Sequence, residues 1–123
     1  MLAIIQARLS SKRLKGKVLK KIKKKELLKR VFDRVAKSKK IKKIIVATST
    51  HKSDDKIVKF CVKKKINYFR GDLNDVWLRF VKILKLNNEN SFIRICADSP
   101  FIHNKLLDKG IEIFDKKNCD IVQ

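Results

Sequence analysis

The stretch LAIIQARLSSKRLKGK (residues 2–17) decides how the rest of this chain is read. It opens with Leu2-Ala3-Ile4-Ile5, a continuous apolar run. That pattern suits a parallel strand buried on both faces, not the alternation of a half-exposed one. No basic leader or cleavage site precedes the run, so it reads as a first strand over 2–7 and not as a signal peptide. The second half sets Arg8, Lys12, Arg13, Lys15 and Lys17 among Ser10, Ser11 and Gly16. A buried strand feeding a basic loop is how an open α/β sheet presents a ligand site, since ligands bind beyond the carboxyl ends of its strands.

The loop 8–17 has neither the Walker A spacing nor G-x-G-x-x-G. Its residue types still suit a polyphosphate. Arg8, Arg13 and Lys17 can neutralise several charges, and guanidinium groups grip phosphate oxygens bidentately. Ser10 and Ser11 can donate hydroxyl hydrogen bonds, and Gly16 permits a turn and a close backbone approach. The same composition fits a solvated basic loop, because lysine is everywhere in this chain.

Outward from this stretch, strand-like and helix-like segments alternate. Residues 8–25 read as irregular. Leu27, Leu28, Val31, Phe32, Val35 and Ala36 recur at helical spacing and predict a helix over 26–38. Ile44–Thr48 is a second buried strand. Ser53 is placed to cap a helix whose first turn carries Asp54 and Asp55. Its apolar face is Ile57, Val58, Cys61 and Val62. Tyr68-Phe69 is a short strand ended by Arg70-Gly71. A helix over 74–86 presents Val76, Trp77, Phe80, Val81 and Leu84. Phe92–Ala97 is a fourth strand, broken by Asp98-Ser99-Pro100. A helix over 103–116 follows, and Cys119–Val122 reads as the start of a fifth strand. The alternation predicts an α/β fold with a mostly parallel sheet and helices on both faces. At 123 residues it is one domain, 1–123.

Composition narrows the class. A hydrophobic fraction of 44% suffices for a core, so the chain is not a disordered polycation. No apolar run approaches the ~20 residues needed to span a bilayer, and no membrane partner is expected. Cys61, Cys96 and Cys119 are widely spaced and read as reduced core thiols in a cytoplasmic protein. The net charge of +21 could mark a nucleic-acid-binding module. The positive residues are mostly lysines spread over every helix face, and Phe32, Phe60, Phe80 and Phe114 fall at core positions. That distribution favours a compositional origin and no specific nucleic-acid partner.

Outside the basic loop, Asp98 stands out because it ends a buried strand. A carboxylate there can hold Mg²⁺ together with substrate phosphates; an Asx-turn closing the strand is the other reading. Arg79 lies on a helix otherwise aimed at the core and is read as facing the cleft. Trp77 is read as core or pocket wall, and His51 and His103 as surface or capping residues.

The motifs together resemble a known family. IIQARLSSKRLKGKVLKKI (4–22) is similar to the N-terminal signature A-R-x-G-S-x-R-L-P-G-K of sugar-nucleotide cytidylyltransferases. The nearest group is the acylneuraminate cytidylyltransferase-like one that includes spore-coat polysaccharide biosynthesis proteins. Ala7, Arg8, Ser11, Arg13, Leu14, Gly16 and Lys17 match, while Ser10 and Lys15 replace the usual Gly and Pro. IIVATS (44–49), FRGDLNDVWLRF (69–80) and IRICADSP (93–100) follow in the family's order.

The resemblance implies a Rossmann-like nucleotide-diphospho-sugar transferase fold, incomplete at its C-terminus because family members are longer. It implies transfer of CMP from CTP to a sugar acid for surface polysaccharide, with release of pyrophosphate. Arg8, Ser11, Arg13 and Lys17 would hold the CTP phosphates, Arg8 and Lys17 also acting in catalysis. Arg79 would line the nucleotide pocket, and Asp98 would hold Mg²⁺. The implied partners are CTP, a sugar acid and either a second copy or a complementing C-terminal chain. A non-catalytic nucleotide-binding remnant is the alternative.

Overall fold

The computed structural model describes residues 1–10 and 15–122. Strand β1 (Leu2–Gln6) leads into the loop whose later part is a 3-10 turn over Lys17–Leu19. A small antiparallel hairpin follows, β2 (Lys21–Ile22) and β3 (Lys25–Glu26), and runs directly into helix α1 (Leu27–Ala36). Then come β4 (Lys43–Ser49), α2 (Asp55–Lys64), β5 (Tyr68–Gly71), α3 (Val76–Leu86), β6 (Phe92–Cys96) and α4 (Asn104–Lys117). The main sheet is four-stranded and wholly parallel, in the order β5-β4-β1-β6.

β1 lies between two neighbours, which explains its unbroken apolar run. Leu2 sits opposite Lys43 and Phe92, and Gln6 opposite Ala47 and Cys96. Successive residues point to opposite faces. Ala3, Ile5 and Ala7 therefore join Val46, Ile95 and the apolar stripes of α1, α2 and α4 on one face. Leu2 and Ile4 join Ile45, Ala47, Phe80 and Ile83 on the other, beneath α3. A charge at Ile4 or Ile5, both 0% exposed, would abolish one core or the other.

Strand order places the switch point. From β1 the chain moves out through β4 to β5, then returns across α3 to β6 on the opposite side of β1. A crevice is therefore required between the carboxyl ends of β1 and β6.

Several sequence expectations are corrected. Cys119–Val122 forms no strand; Ile121 is exposed and nothing in the described sheet pairs with this segment. The irregular segment 8–25 contains the 21–26 hairpin, turned by Lys23 and Lys24 at φ 49° and 68°. Non-glycine residues rarely adopt that region, so no turn signal was visible. Ser53 does not cap α2. A 3-10 turn, Lys52–Asp54, precedes the helix, and His51 caps that turn by accepting from the Ser53 N–H. His103 caps α4 by accepting from the Lys105 N–H, so both histidines are capping residues. Val62 and Trp77 are exposed, because each falls just outside its helix's buried arc; of the three thiols expected in the core only Cys61 is buried, Cys96 being exposed at the open carboxyl end of β6 and Cys119 half-buried past the end of α4. Trp77 only leans its ring edgewise on Phe80, with centroids 6.4 Å apart.

Candidate nucleotide site

The crevice at the switch point is a hollow of about 150 Å³ lined by Gln6, Arg8, Lys17, Val18, Arg94, Cys96, Ala97 and Asp98. Residues 8 and 98 are 90 positions apart in the chain, and the β1–β6 pairing brings their strand ends side by side. The Ala97 N–H donates to the Gln6 carbonyl at 3.0 Å, extending that pairing to the edge of the hollow. Ser11 and Arg13 lie outside the described residues.

The loop is closed at its base. The Leu9 carbonyl accepts from the Gly16 N–H at 3.2 Å, and Gly16 turns there at φ 75°, the left-handed region open to glycine. The 3-10 turn that follows places Lys17 on the hollow and buries Val18 beneath it. Across the hollow, the turn after β6 is closed by the Ser99 N–H donating to the Cys96 carbonyl at 3.2 Å. Among the described residues the Asp98 carboxylate takes no part in that closure, so it is not an Asx-turn residue; it is exposed on the hollow.

The electrostatics are lopsided: Arg8, Lys17 and Arg94 face a single carboxylate, Asp98. Sequence reasoning missed Arg94 and Gln6, which sit within the strands. The Arg94 Nε donates to Gln6 Oε1 at 3.1 Å, and its guanidinium lies 5.8 Å from the Phe80 ring centroid. Alternation along β6 could have flagged Arg94 as facing the same side as Cys96.

Arg79 is not on the wall of this hollow. It is 0% exposed, and its Nε and both terminal nitrogens have no hydrogen-bond partner among the described residues. Burial pushes its pKa down and the Arg8 charge adds to that, while Asp54 and Asp72 oppose it. Its stem runs over Gly71, where a Cβ would come within 2.3 Å of Arg79 Cγ. Sequence reasoning also missed Asp54. Read from the sequence as a helix-dipole residue, it is 0% exposed and accepts from the Leu9 N–H at 2.8 Å.

Among the described residues no group of three His, Cys, Asp or Glu could enclose a metal by itself. Asp98 fits Mg²⁺ as a lone hard-oxygen ligand, with the remaining positions left to phosphates and water.

A cytidylyltransferase family model matches residues 2–123. The chain belongs to the cytidylyltransferase family. It is 42% identical over 122 residues to an uncharacterized protein of Methanocaldococcus jannaschii, covering 99% of this chain and 50% of that one. It is 37% identical over 124 residues to the spore coat polysaccharide biosynthesis protein SpsF of Bacillus subtilis, covering 98% and 52%. A cytidylyltransferase from Leptospira borgpetersenii superposes with a TM-score of 0.86 at 31% identity, over 94% of this chain and 49% of that one. A CMP:2-keto-3-deoxy-manno-octonic acid synthetase in complex with CTP superposes with a TM-score of 0.77 at 21% identity, over 96% and 48%, which bears on the fold alone. The fold is that of the nucleotide-diphospho-sugar transferases. The chain spans about half the length of these relatives. No helix among the described residues is long and apolar enough to cross a membrane.

Proposed function

We propose that this chain is the CTP-binding half of a cytidylyltransferase that transfers CMP from CTP to a sugar acid. The observation that carries this reading is the convergence of Arg8, Lys17, Arg94 and Asp98 on one hollow at the switch point of a parallel sheet. Three cations and one carboxylate are the complement of a polyphosphate with its counter-ion.

In the proposed reaction a sugar-acid hydroxyl oxygen bonds to the α-phosphorus of CTP while its O–H bond breaks and the proton passes to water. The bond from that phosphorus to the bridging oxygen breaks, and pyrophosphate leaves with the electron pair. Arg8 and Lys17 hold the phosphates and spread the developing negative charge, with Ser11 and Arg13 supplying further contacts. Asp98 would hold Mg²⁺, which when bound neutralises phosphate oxygens.

Calorimetric titration with Mg²⁺ and CTP tests the reading. Lys17→Ala should weaken binding by roughly 1–3 kcal/mol, the size of a lost charge-assisted contact. CTP should also slow alkylation of Cys96, which is exposed on the hollow. Cys61 is the internal control, because burial pushes its thiol up to about 11 and keeps it protonated and inert. Unaltered affinity in Lys17→Ala together with no protection of Cys96 would sink the assignment.

A further inference from the structure

We propose that Asp54 is a positioning residue for the phosphate loop, holding Arg8 and the loop base in register with the end of β4. This rests on the reading of the hollow as a triphosphate site. Asp54 is fully buried and bridges two strand ends that are distant in sequence. One carboxylate oxygen accepts from the Leu9 N–H at 2.8 Å. The other accepts from the Ser49 N–H at 3.3 Å and from the Ser49 hydroxyl.

The geometry makes this more than a fold contact. The Leu9 N–H belongs to the same rigid peptide plane as the Arg8 carbonyl. Fixing that N–H therefore fixes the direction in which the chain leaves Arg8. The Leu9 carbonyl is held separately by the Gly16 N–H, and its side chain is buried at 8% exposure. Leu9 is thus clamped at both backbone groups, between Arg8 and the turn that delivers Lys17. The Ser49 side of the bridge is itself fixed. Its hydroxyl accepts from the His51 N–H at 3.2 Å, and its carbonyl accepts from Arg70 Nε at 2.9 Å. Arg70 is tied in turn to Asp55 at 2.8 Å. Asp54 therefore transmits the rigidity of the β4–β5 side of the sheet to the loop that carries the cations.

The test compares CTP titration and Leu9 amide exchange in the wild type, Asp54→Asn, Ser49→Ala and Asp108→Asn. Asp108 is a comparable brace remote from the hollow, accepting from the Ser38 hydroxyl and the Lys39 and Lys40 N–H groups. The expected result is roughly tenfold weaker CTP binding in Asp54→Asn, about one charge-assisted hydrogen bond. A smaller loss of the same sign is expected in Ser49→Ala, with faster Leu9 exchange in both. Asp108→Asn should lower the melting temperature and leave CTP affinity at the wild-type value, which a purely structural role for Asp54 would equally predict of Asp54→Asn. A folded Asp54→Asn with wild-type Kd overturns the proposal while leaving the site assignment intact. If Asp54→Asn does not fold, wild-type Kd in Ser49→Ala does the same. Absence of CTP binding by the wild type overturns both readings.

Discussion

Asp54 and Arg79 are both shut off from solvent, and the protein treats them in opposite ways. Asp54 has its charge met by two backbone N–H groups and a hydroxyl. Arg79 has three nitrogens and no acceptor among the described residues. An unpaired buried charge is costly, and such groups are rare in folded chains. The comparison separates a buried charge whose partners the fold supplies from one whose partners it does not. Thr48, on β4, shows the same incompleteness in milder form, with a buried hydroxyl that finds no partner among the described residues.

The largest effect should come from setting the two against each other. Asp54→Ala should destabilise the chain by about 3 kcal/mol, because two buried N–H groups lose their acceptor at ~1–3 kcal/mol each. Arg79→Met should shift the urea midpoint the other way, stabilising by roughly 1–4 kcal/mol, as replacement of a poorly compensated buried charge by an apolar chain can do. Loss of stability in Arg79→Met would break the comparison, since it would mean that the guanidinium already has a partner.

A second prediction sharpens the placement of Arg79. Gly71→Ala brings a Cβ to 2.3 Å from Arg79 Cγ and 3.1 Å from Phe69, so it should cost about 1–3 kcal/mol of overpacking. Combining it with Arg79→Ala, which removes the clashing Cγ, should give a double variant more stable than the sum of the two single effects. Strict additivity in denaturant melts would show that Gly71 and Arg79 do not press on one another.

The smallest effect concerns the remote brace. The Ser38 hydroxyl, chiefly, holds the Asp108 carboxyl below the usual carboxylate range; burial opposes it, and the Lys39 and Lys40 N–H groups and the Lys40 charge reinforce it. The folded pKa is thus depressed. Its stabilisation is fully present above the unfolded value of about 3.9 and is lost as pH falls through the folded value. Ser38→Ala should therefore lower stability at neutral pH slightly and flatten its decline below about pH 4. An acid limb unchanged in melts from pH 2 to 7 would refute this attribution.

The basic loop, the β1 run and the alternation of strands and helices are local patterns, and each is written in consecutive residues. The switch-point hollow could be anticipated because parallel sheets place ligands at strand ends whatever their sequence. Arg94 and Gln6 were harder to find, since a polar residue inside a strand looks the same whether it faces solvent or a cleft until its neighbours are known. The 21–26 hairpin was hidden because its turn uses two lysines in a conformation that sequence rules reserve for Gly and Asn.

By itself, then, the sequence determined an α/β sheet with a cationic loop after its first strand and a carboxylate after its fourth. Hydrophobic period and residue charge are properties of neighbouring positions, and these features need nothing more. Only the tertiary structure decided that Asp54 is an internal brace, that Arg79 is buried without an acceptor, and that Gly71 exists to let its stem pass. Those facts depend on which groups meet across long stretches of chain. A carboxylate beside lysines reads as a surface residue until the Leu9 N–H arrives from 45 positions away.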